Sequence, residues 1–219
     1  MALRKSSEIP EDAIAFTNES EAAAYIWGIV NEWESISQTW ALRYGPIILG
    51  GINAVCGIVI NKHFRTRFKL GQYGYLASSV PMCIMPGMLT TLFHNYLVST
   101  DMLLMKSQPC PVCYEIKSAG IQNVFGMAYP MALGPMTALM LANRYGTYRV
   151  PDLTEGPKVM IKFVSKHIRP LSGTLIYMAA IQLAASSIIT YFEMKNNFTL
   201  GQELSKIEEK ALAVQGKKQ

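Results

Sequence analysis

The feature that most constrains this chain is an uncharged run at residues 44–60, followed directly by a basic segment. As an α-helix the run would be about 26 Å long at about 1.5 Å per residue, close to the thickness of the hydrocarbon core of a bilayer. Residues 61–69 then carry two lysines and two arginines and no acidic residue. An apolar helix that ends in a purely basic segment is typical of a span that leaves the membrane on its positive side.

Three further windows repeat this pattern, and together the four predict an all-α polytopic membrane protein. The predicted spans are residues 44–60, 74–98, 118–143 and 170–192, none of which contains a charged residue. They define a membrane domain at 44–192, an acidic N-terminal segment at 1–43 and a polar C-terminal tail at 193–219. The alternative is a soluble helical bundle, but each apolar run would then need a core that covers it on all sides.

The N-terminal segment carries a net charge of −4 over residues 1–43. Within residues 21–43, apolar and aromatic side chains recur at helical spacing, which predicts an amphipathic helix. Its stripe consists of Ile26, Val30, Trp33, Ser37 and Trp40. Two interpretations stay open. The helix could lie on the membrane surface, where tryptophan is favoured, or it could pack against the protein's own bundle.

Small residues four positions apart predict where the spans approach one another closely. These candidate helix-packing residues are Gly50 and Ala54 in the first span, Gly134, Ala138 and Ala142 in the third, and Ala180 and Ala184 in the fourth. Asn53 should face protein, because an amide in lipid would lack hydrogen-bond partners. His94, near the end of the second span, is expected to be an interface or packing residue rather than a ligand.

Prolines five residues apart interrupt the second and third spans, at Pro81 and Pro86 and at Pro130 and Pro135. Such kinks are tolerated in membranes when neighbouring helices satisfy the freed carbonyls. The similarity between residues 81–96 and 130–145 is either the trace of an inverted repeat or a coincidence in apolar sequence. The kinks keep open a second function, a small membrane transporter or carrier with its site in these two spans.

Two cysteines, Cys110 and Cys113, lie together in the loop between the second and third spans. Zinc is not expected, because its sites normally need four ligands. A thioredoxin-type motif needs a strand–helix context that such a loop lacks. A structural disulfide and two free thiols both remain open. The sequence contains no recognisable catalytic constellation, so we expect neither an enzyme nor a cofactor.

The distribution of basic residues predicts the orientation in the membrane. Loops 61–69 and 144–169 each carry a net charge of +4, whereas loop 99–117 is neutral. The positive-inside rule places the two basic loops on one side, and loop 99–117 with both termini on the other. Because the basic residues are divided among short loops rather than clustered on one folded face, we expect no nucleic-acid partner.

Several motifs in their order resemble the transmembrane protein 126 family over about residues 44–200. They are GGINAVCGIVINKHFR, PMCIMPGMLTT, CPVC followed by SAG, YPMALGP, ANRYGTYRVP and the final span. The resemblance implies a four-span protein of the mitochondrial inner membrane with a chaperone role in the assembly of respiratory complex I. It implies that the protein binds and stabilises membrane-arm intermediates. The partners would be proteins of the complex I assembly complex or newly made membrane-arm subunits, besides the lipid bilayer. The family supplies no catalytic residues. If the basic loops face the matrix, loop 99–117 and both termini face the intermembrane space.

Overall fold

A computed structural model describes residues 18–104, 110–149 and 157–216, and these residues form helices without any strand. The helices are α1 (Glu19–Glu32), α2 (Ile36–Arg67), α3 (Tyr75–Leu103), α4 (Pro111–Tyr145), α5 (Pro157–Ile168) and α6 (Ser172–Gly216). Parts of the predicted N-terminal segment, of loops 99–117 and 144–169 and of the C-terminal tail lie outside the described residues.

Within the described residues, four helical runs are long and apolar enough to cross a membrane. They are α2, α3, α4 and Lys158–Ile207, which includes most of α5 and α6. The predicted fold class, an all-α membrane protein with four spans, is therefore confirmed. All four helices extend beyond the predicted spans, because the uncharged windows mark only the part that lipid requires to be uncharged.

The structure corrects the prediction of one amphipathic helix at residues 21–43. α1 ends at Glu32, Trp33 and Ser35 adopt extended backbone conformations, and α2 begins at Ile36. Arg43 of α2 stabilises the break, because its Nε donates to the carbonyl of Val30 at 2.8 Å and its Nη2 donates to the carbonyl of Trp33 at 2.9 Å. A side chain from the next helix thus satisfies carbonyls left free at the C-terminus of α1.

α1 packs against the end of the bundle. Val30 is fully buried in a cluster with Leu42, Leu103 and Leu200, which come from three other helices. The indole Nε1 of Trp27 donates to Thr100 Oγ1 at 3.0 Å. Of the two interpretations of the stripe, packing against the protein's own bundle therefore describes the contacts of α1.

The main apolar core lies at the opposite end, around the C-terminal half of α2. Phe64 and Phe68 are almost completely buried there, and Phe163 of α5 packs against them. The predicted loop 144–169 thus contains a short amphipathic helix that was not predicted from the sequence. Its polar face presents three exposed lysines, Lys158, Lys162 and Lys166.

α3 and α4 contain wide, π-helical turns at Val80–Ile84, Asn95–Ser99 and Val124–Ala128. Pro81 and Pro86 lie within or just after the first turn, and Pro130 lies just after the third. A proline lacks the backbone donor of a regular turn, and a widened turn is one way in which a helix accommodates it. These turns rotate the following helical segment, and this rotation selects which side chains face the bundle interior.

Candidate functional site

A single amide, that of Asn53, joins all four long helices near the middle of the bundle. Its Nδ2 donates to Thr90 Oγ1 of α3 at 2.6 Å and to the carbonyl of Gln122 of α4 at 3.1 Å. Its Oδ1 accepts from Nε2 of Gln122 at 2.8 Å and from Nε2 of Gln182 of α6 at 3.2 Å. All four side chains are fully buried. Because lipid offers no competing partners, such bonds stabilise helix association in membranes.

Gly126 of α4 makes the space for this amide cluster. A Cβ atom added at this position would overlap both Asn53 Oδ1 and Gln182 Nε2. The residue lies in the π-helical turn Val124–Ala128. Gly126 was not predicted from the sequence, because it belongs to no stripe of small residues four apart and lies instead opposite a buried amide.

A second buried cluster pairs a histidine with a carboxylate. His94 Nε2 of α3 lies 2.9 Å from Glu193 Oε2 and 3.2 Å from Glu193 Oε1 of α6. Ser99 Oγ donates to Glu193 Oε1 at 3.1 Å, and Ser118 Oγ of α4 lies 3.4 Å from His94 Nδ1. All four residues are fully buried.

The chemistry of this pair follows from its burial. An isolated carboxylate in an apolar interior is strongly destabilised, and a ring nitrogen together with a hydroxyl compensates for the lost water. A ring nitrogen that bonds an ionised carboxylate must donate the hydrogen, because the carboxylate has none to give. α2 also packs here, because a Cβ atom added to Gly45 would lie 3.0 Å from Glu193 Oε1.

The structure makes His94 a buried packing residue, as expected, and adds a bond to Glu193 that was not expected. It corrects the boundary at residue 192, which placed Glu193 in the polar tail. α6 instead continues through that boundary, and a row of buried polar residues follows its inner face: Gln182, Ser186, Thr190, Glu193 and Asn196. Their spacing of three and four residues was the signal that could have identified them.

The candidate packing residues separate into two groups. A Cβ atom on Gly50 would overlap Thr91 Oγ1 and the carbonyl of Gly87, so α2 and α3 are in backbone contact there. Ala54 also faces Gly87. On α4, Gly134 faces Met82 and Phe64, and Ala138 and Ala142 are buried.

The fourth-span pair is different, because both Ala180 and Ala184 are exposed. Ala180 and Ala184 therefore do not pack inside this bundle, and the prediction that they are helix-packing residues is wrong. The reason is the rotational phase of α6. The buried face is defined by Gln182 and Ser186, which lie two residues further along the helix and therefore on roughly the opposite side.

Cys110 and Cys113 are free thiols in this structure. Cys110 precedes the first turn of α4, and its carbonyl accepts the backbone N–H of Cys113 at 3.0 Å. A side-chain hydrogen bond with Cys113 lowers the pKa of the Cys110 thiol. The disulfide therefore stays a prediction, and the preceding residues 105–109 lie outside the described part of the chain.

At the basic end, Arg65 has a structural role that the charge count did not predict. Its guanidinium is buried and donates to Ser78 Oγ at 2.7 Å and to the carbonyls of Gly71 and Tyr73 at 2.6 and 3.0 Å. It thereby fixes the turn between α2 and α3. Three other basic residues of loop 61–69 are exposed: Lys62, Arg67 and Lys69.

Four apolar helices around a buried polar interior define a multi-pass α-helical membrane protein. The family model for Transmembrane protein 126 matches residues 25–199, a range that includes Asn53, His94 and Glu193. The chain belongs to the Transmembrane protein 126 family.

Individual relatives agree with this assignment. Transmembrane protein 126 of Drosophila melanogaster is 36% identical over 204 residues, which cover 93% of this chain and 91% of the relative. Transmembrane protein 126A of Mus musculus is 32% identical over 111 residues, 51% of this chain and 56% of the relative. The protein of the same name from Rattus norvegicus is 29% identical over 111 residues, again 51% of this chain and 56% of the relative. No solved structure matches the chain.

Proposed function

We propose that this chain is an assembly factor of mitochondrial respiratory complex I that binds and stabilises membrane-arm intermediates in the inner membrane. Family membership and the motifs that carry the resemblance support this function. An assembly factor needs a bundle that holds together on its own and an outer surface that another membrane helix can approach. The polar clusters around Asn53 and His94 provide the internal connections between helices.

The observation that carries the proposal is an apolar groove on the outer surface of α2 and α6. It has a volume of about 550 Å³, and its lining includes Ile48, Gly51, Val55 and Ile181. Among the described residues, no side chain and no other helix lies within 4 Å of a Cβ atom built on Gly51, so the backbone is open at this point. A glycine flanked by aliphatic side chains allows close approach of a second membrane helix. The occupant that we assign to the groove is a transmembrane helix of a membrane-arm subunit.

The same proposal includes an orientation. The exposed lysines of α5 and the exposed basic residues at the C-terminal end of α2 lie at the same end of the bundle, because Phe163 of α5 packs on Phe68, which directly follows α2. By the positive-inside rule, short loops rich in lysine and arginine stay on the inner side of the membrane and are not translocated across it. The basic end would therefore face the matrix, and the termini and loop 99–117 would face the intermembrane space.

Affinity purification tests both the function and the groove. The tagged chain is recovered from mitochondria solubilised in digitonin, and complex I subunits and assembly proteins are quantified by mass spectrometry. We expect enrichment of membrane-arm subunits with the wild type and a loss with Gly51→Leu. Gly120→Leu is the matched control, because a Cβ atom at Gly120 of α4 also meets no side chain or other helix of the described part of the chain within 4 Å.

One result would contradict the proposed function, and another would contradict only the groove as its binding surface. If the wild type enriched no complex I protein, the proposed function would be wrong. If Gly51→Leu recovered the same partners as Gly120→Leu, the function could stand, but the groove would not be the binding surface.

A small transporter is the second candidate, and the buried His94–Glu193 pair favours it. Ionisable residues at membrane depth often belong to proton or substrate pathways, and both proline-kinked helices contribute to the polar interior. Purified protein in proteoliposomes, with a pH-sensitive dye inside, tests this function. Proton flux that Glu193→Gln abolishes would favour the transporter over the assembly factor.

A further inference from the structure

A second groove, of different character, lies between α1, α2 and α3 at the end of the bundle opposite α5. Its volume is about 520 Å³. Polar side chains line one part of it, among them Asn31, Arg43 and Asn95, whereas Ile47 and Leu92 form an apolar part. Both apolar side chains are more than half exposed, so the groove opens towards the lipid-facing surface.

The depth of the groove follows from the length of α2. Arg43 precedes Asn53 by ten residues on one continuous helix, which corresponds to about 15 Å. Asn53 lies near the middle of α2 and at the centre of the polar cluster. Since the hydrocarbon core is about 30 Å thick, Arg43 lies near the level where hydrocarbon gives way to headgroups. Trp27 and Tyr96, which also line the groove, are residue types favoured at that level.

Arg43 is held in place before any ligand binds. Its Nε and Nη2 donate to the carbonyls of Val30 and Trp33, which orients the guanidinium towards the groove that it lines. Within the described residues, Nη1 donates no hydrogen bond to another protein atom. A fixed guanidinium with free donors is well suited to bind a phosphate group, because little side-chain entropy remains to be lost.

We propose that this groove binds a phospholipid, with the headgroup phosphate on Arg43 and an acyl chain along Ile47 and Leu92. The polar and apolar parts of the lining match the two parts of such a molecule. The position of Arg43 at headgroup depth favours a lipid over a soluble anion, and the site does not depend on the proposed role in complex I assembly.

Photo-crosslinking in proteoliposomes tests the site. The purified full chain is reconstituted with a phospholipid that carries a diazirine in its acyl chain, and labelled peptides are mapped by mass spectrometry. We expect labelling concentrated on the peptides that contain Ile47 and Leu92. Asn95→Asp should reduce it by about tenfold, because a second negative charge in the groove opposes the phosphate. Asn143→Asp, at an exposed position near the other end of the bundle, is the matched control.

The choice of Asn95 keeps the test independent of folding. Arg43→Gln should also reduce labelling, but it removes the bonds that hold α1 and could loosen the fold. Asn95→Asp leaves those bonds in place, and a thermal unfolding curve for each variant checks this. Equal labelling of the two aspartate variants, or labelling spread evenly around the bundle, would overturn the proposal. Suppression of the labelling by excess inorganic phosphate would indicate a site for soluble anions and would also overturn it.

Discussion

His94 and Glu193 are separated by 99 residues in the sequence, yet their side chains form a fully buried pair with 2.9 Å between Nε2 and Oε2. The pair connects the second and fourth membrane helices at a point where Ser118 of the third also approaches. Glu193 therefore belongs to the membrane bundle, although it follows the last uncharged window.

The first prediction concerns this pair. Replacing either residue alone, as in His94→Met or Glu193→Met, should reduce the free energy of unfolding by about 3–5 kcal/mol, because the remaining polar group is buried without its partner. The double variant should lose much less than the sum of the two single losses. Unfolding of the wild type, the two single variants and the double variant, each purified in mixed micelles, measures these losses. Additive losses would mean that the two side chains do not interact.

A second prediction concerns Gly126 at the amide cluster. Gly126→Ala should destabilise the bundle by about 1–3 kcal/mol, because the added methyl group would overlap the side chains of Asn53 and Gln182. Gly120→Ala, six residues earlier on the same helix, should be neutral or slightly stabilising, since its Cβ meets open space. The same micelle assay compares the two. Equal stability of the variants would show that the amide cluster is not packed around residue 126.

The third prediction uses the two groups of candidate packing residues. Gly50→Leu should weaken the bundle, because its side chain would meet the backbone of Gly87. Ala184→Leu should fold normally, since Ala184 is exposed on the outer face of α6. Retention of the folded form during size-exclusion chromatography after heating measures the difference. An aggregated Ala184→Leu variant beside an unaffected Gly50→Leu variant would reverse our assignment of the inner faces.

The fourth prediction addresses the cysteine pair. If the CPVC segment faces the intermembrane space, an impermeant maleimide added to intact mitoplasts should label it, either directly or after reduction if the predicted disulfide has formed.

In the reduced protein Cys110 should form its thiolate at lower pH than an ordinary cysteine, because the hydrogen bond with Cys113 lowers its pKa. Labelling of Cys110 across a pH series, in the reduced wild type and in Cys113→Ser, measures this effect. Cys113→Ser should remove the advantage of Cys110, because it removes the hydrogen bond.

Protection of both cysteines until the inner membrane is opened would place the segment in the matrix. That result would contradict the proposed orientation. It would leave the helix assignments untouched, since these depend on length and hydropathy alone.

The four membrane helices could be predicted from the sequence because the relevant signals are local. The uncharged run at residues 44–60 requires a span wherever the rest of the chain lies, and Asn53 within it requires a protein environment. The basic segment that follows also marks the end of α2, although it does not indicate that Arg65 turns inward to hold the next loop.

The contacts between distant helices could not be predicted in the same way. The pairing of His94 with Glu193 depends on the rotational phase of α6 relative to α3, and the π-helical turn at Asn95–Ser99 changes that phase locally. The small residues Ala180 and Ala184 suggested one inner face for α6, whereas Gln182 and Ser186 occupy the actual one. In a lipid environment, buried polar residues identify an inner face better than small ones, because only the polar residues are strongly disfavoured outside.

Profiling of native complexes from mitochondria tests the proposed function most directly. Cells that lack this protein are compared with cells that re-express the wild type, Gly51→Leu or Gly120→Leu, and complex I intermediates are separated by native electrophoresis and quantified by mass spectrometry. We expect loss of a membrane-arm intermediate without the protein, with recovery by the wild type and Gly120→Leu but not by Gly51→Leu. Unchanged membrane-arm intermediates in cells without the protein would contradict it.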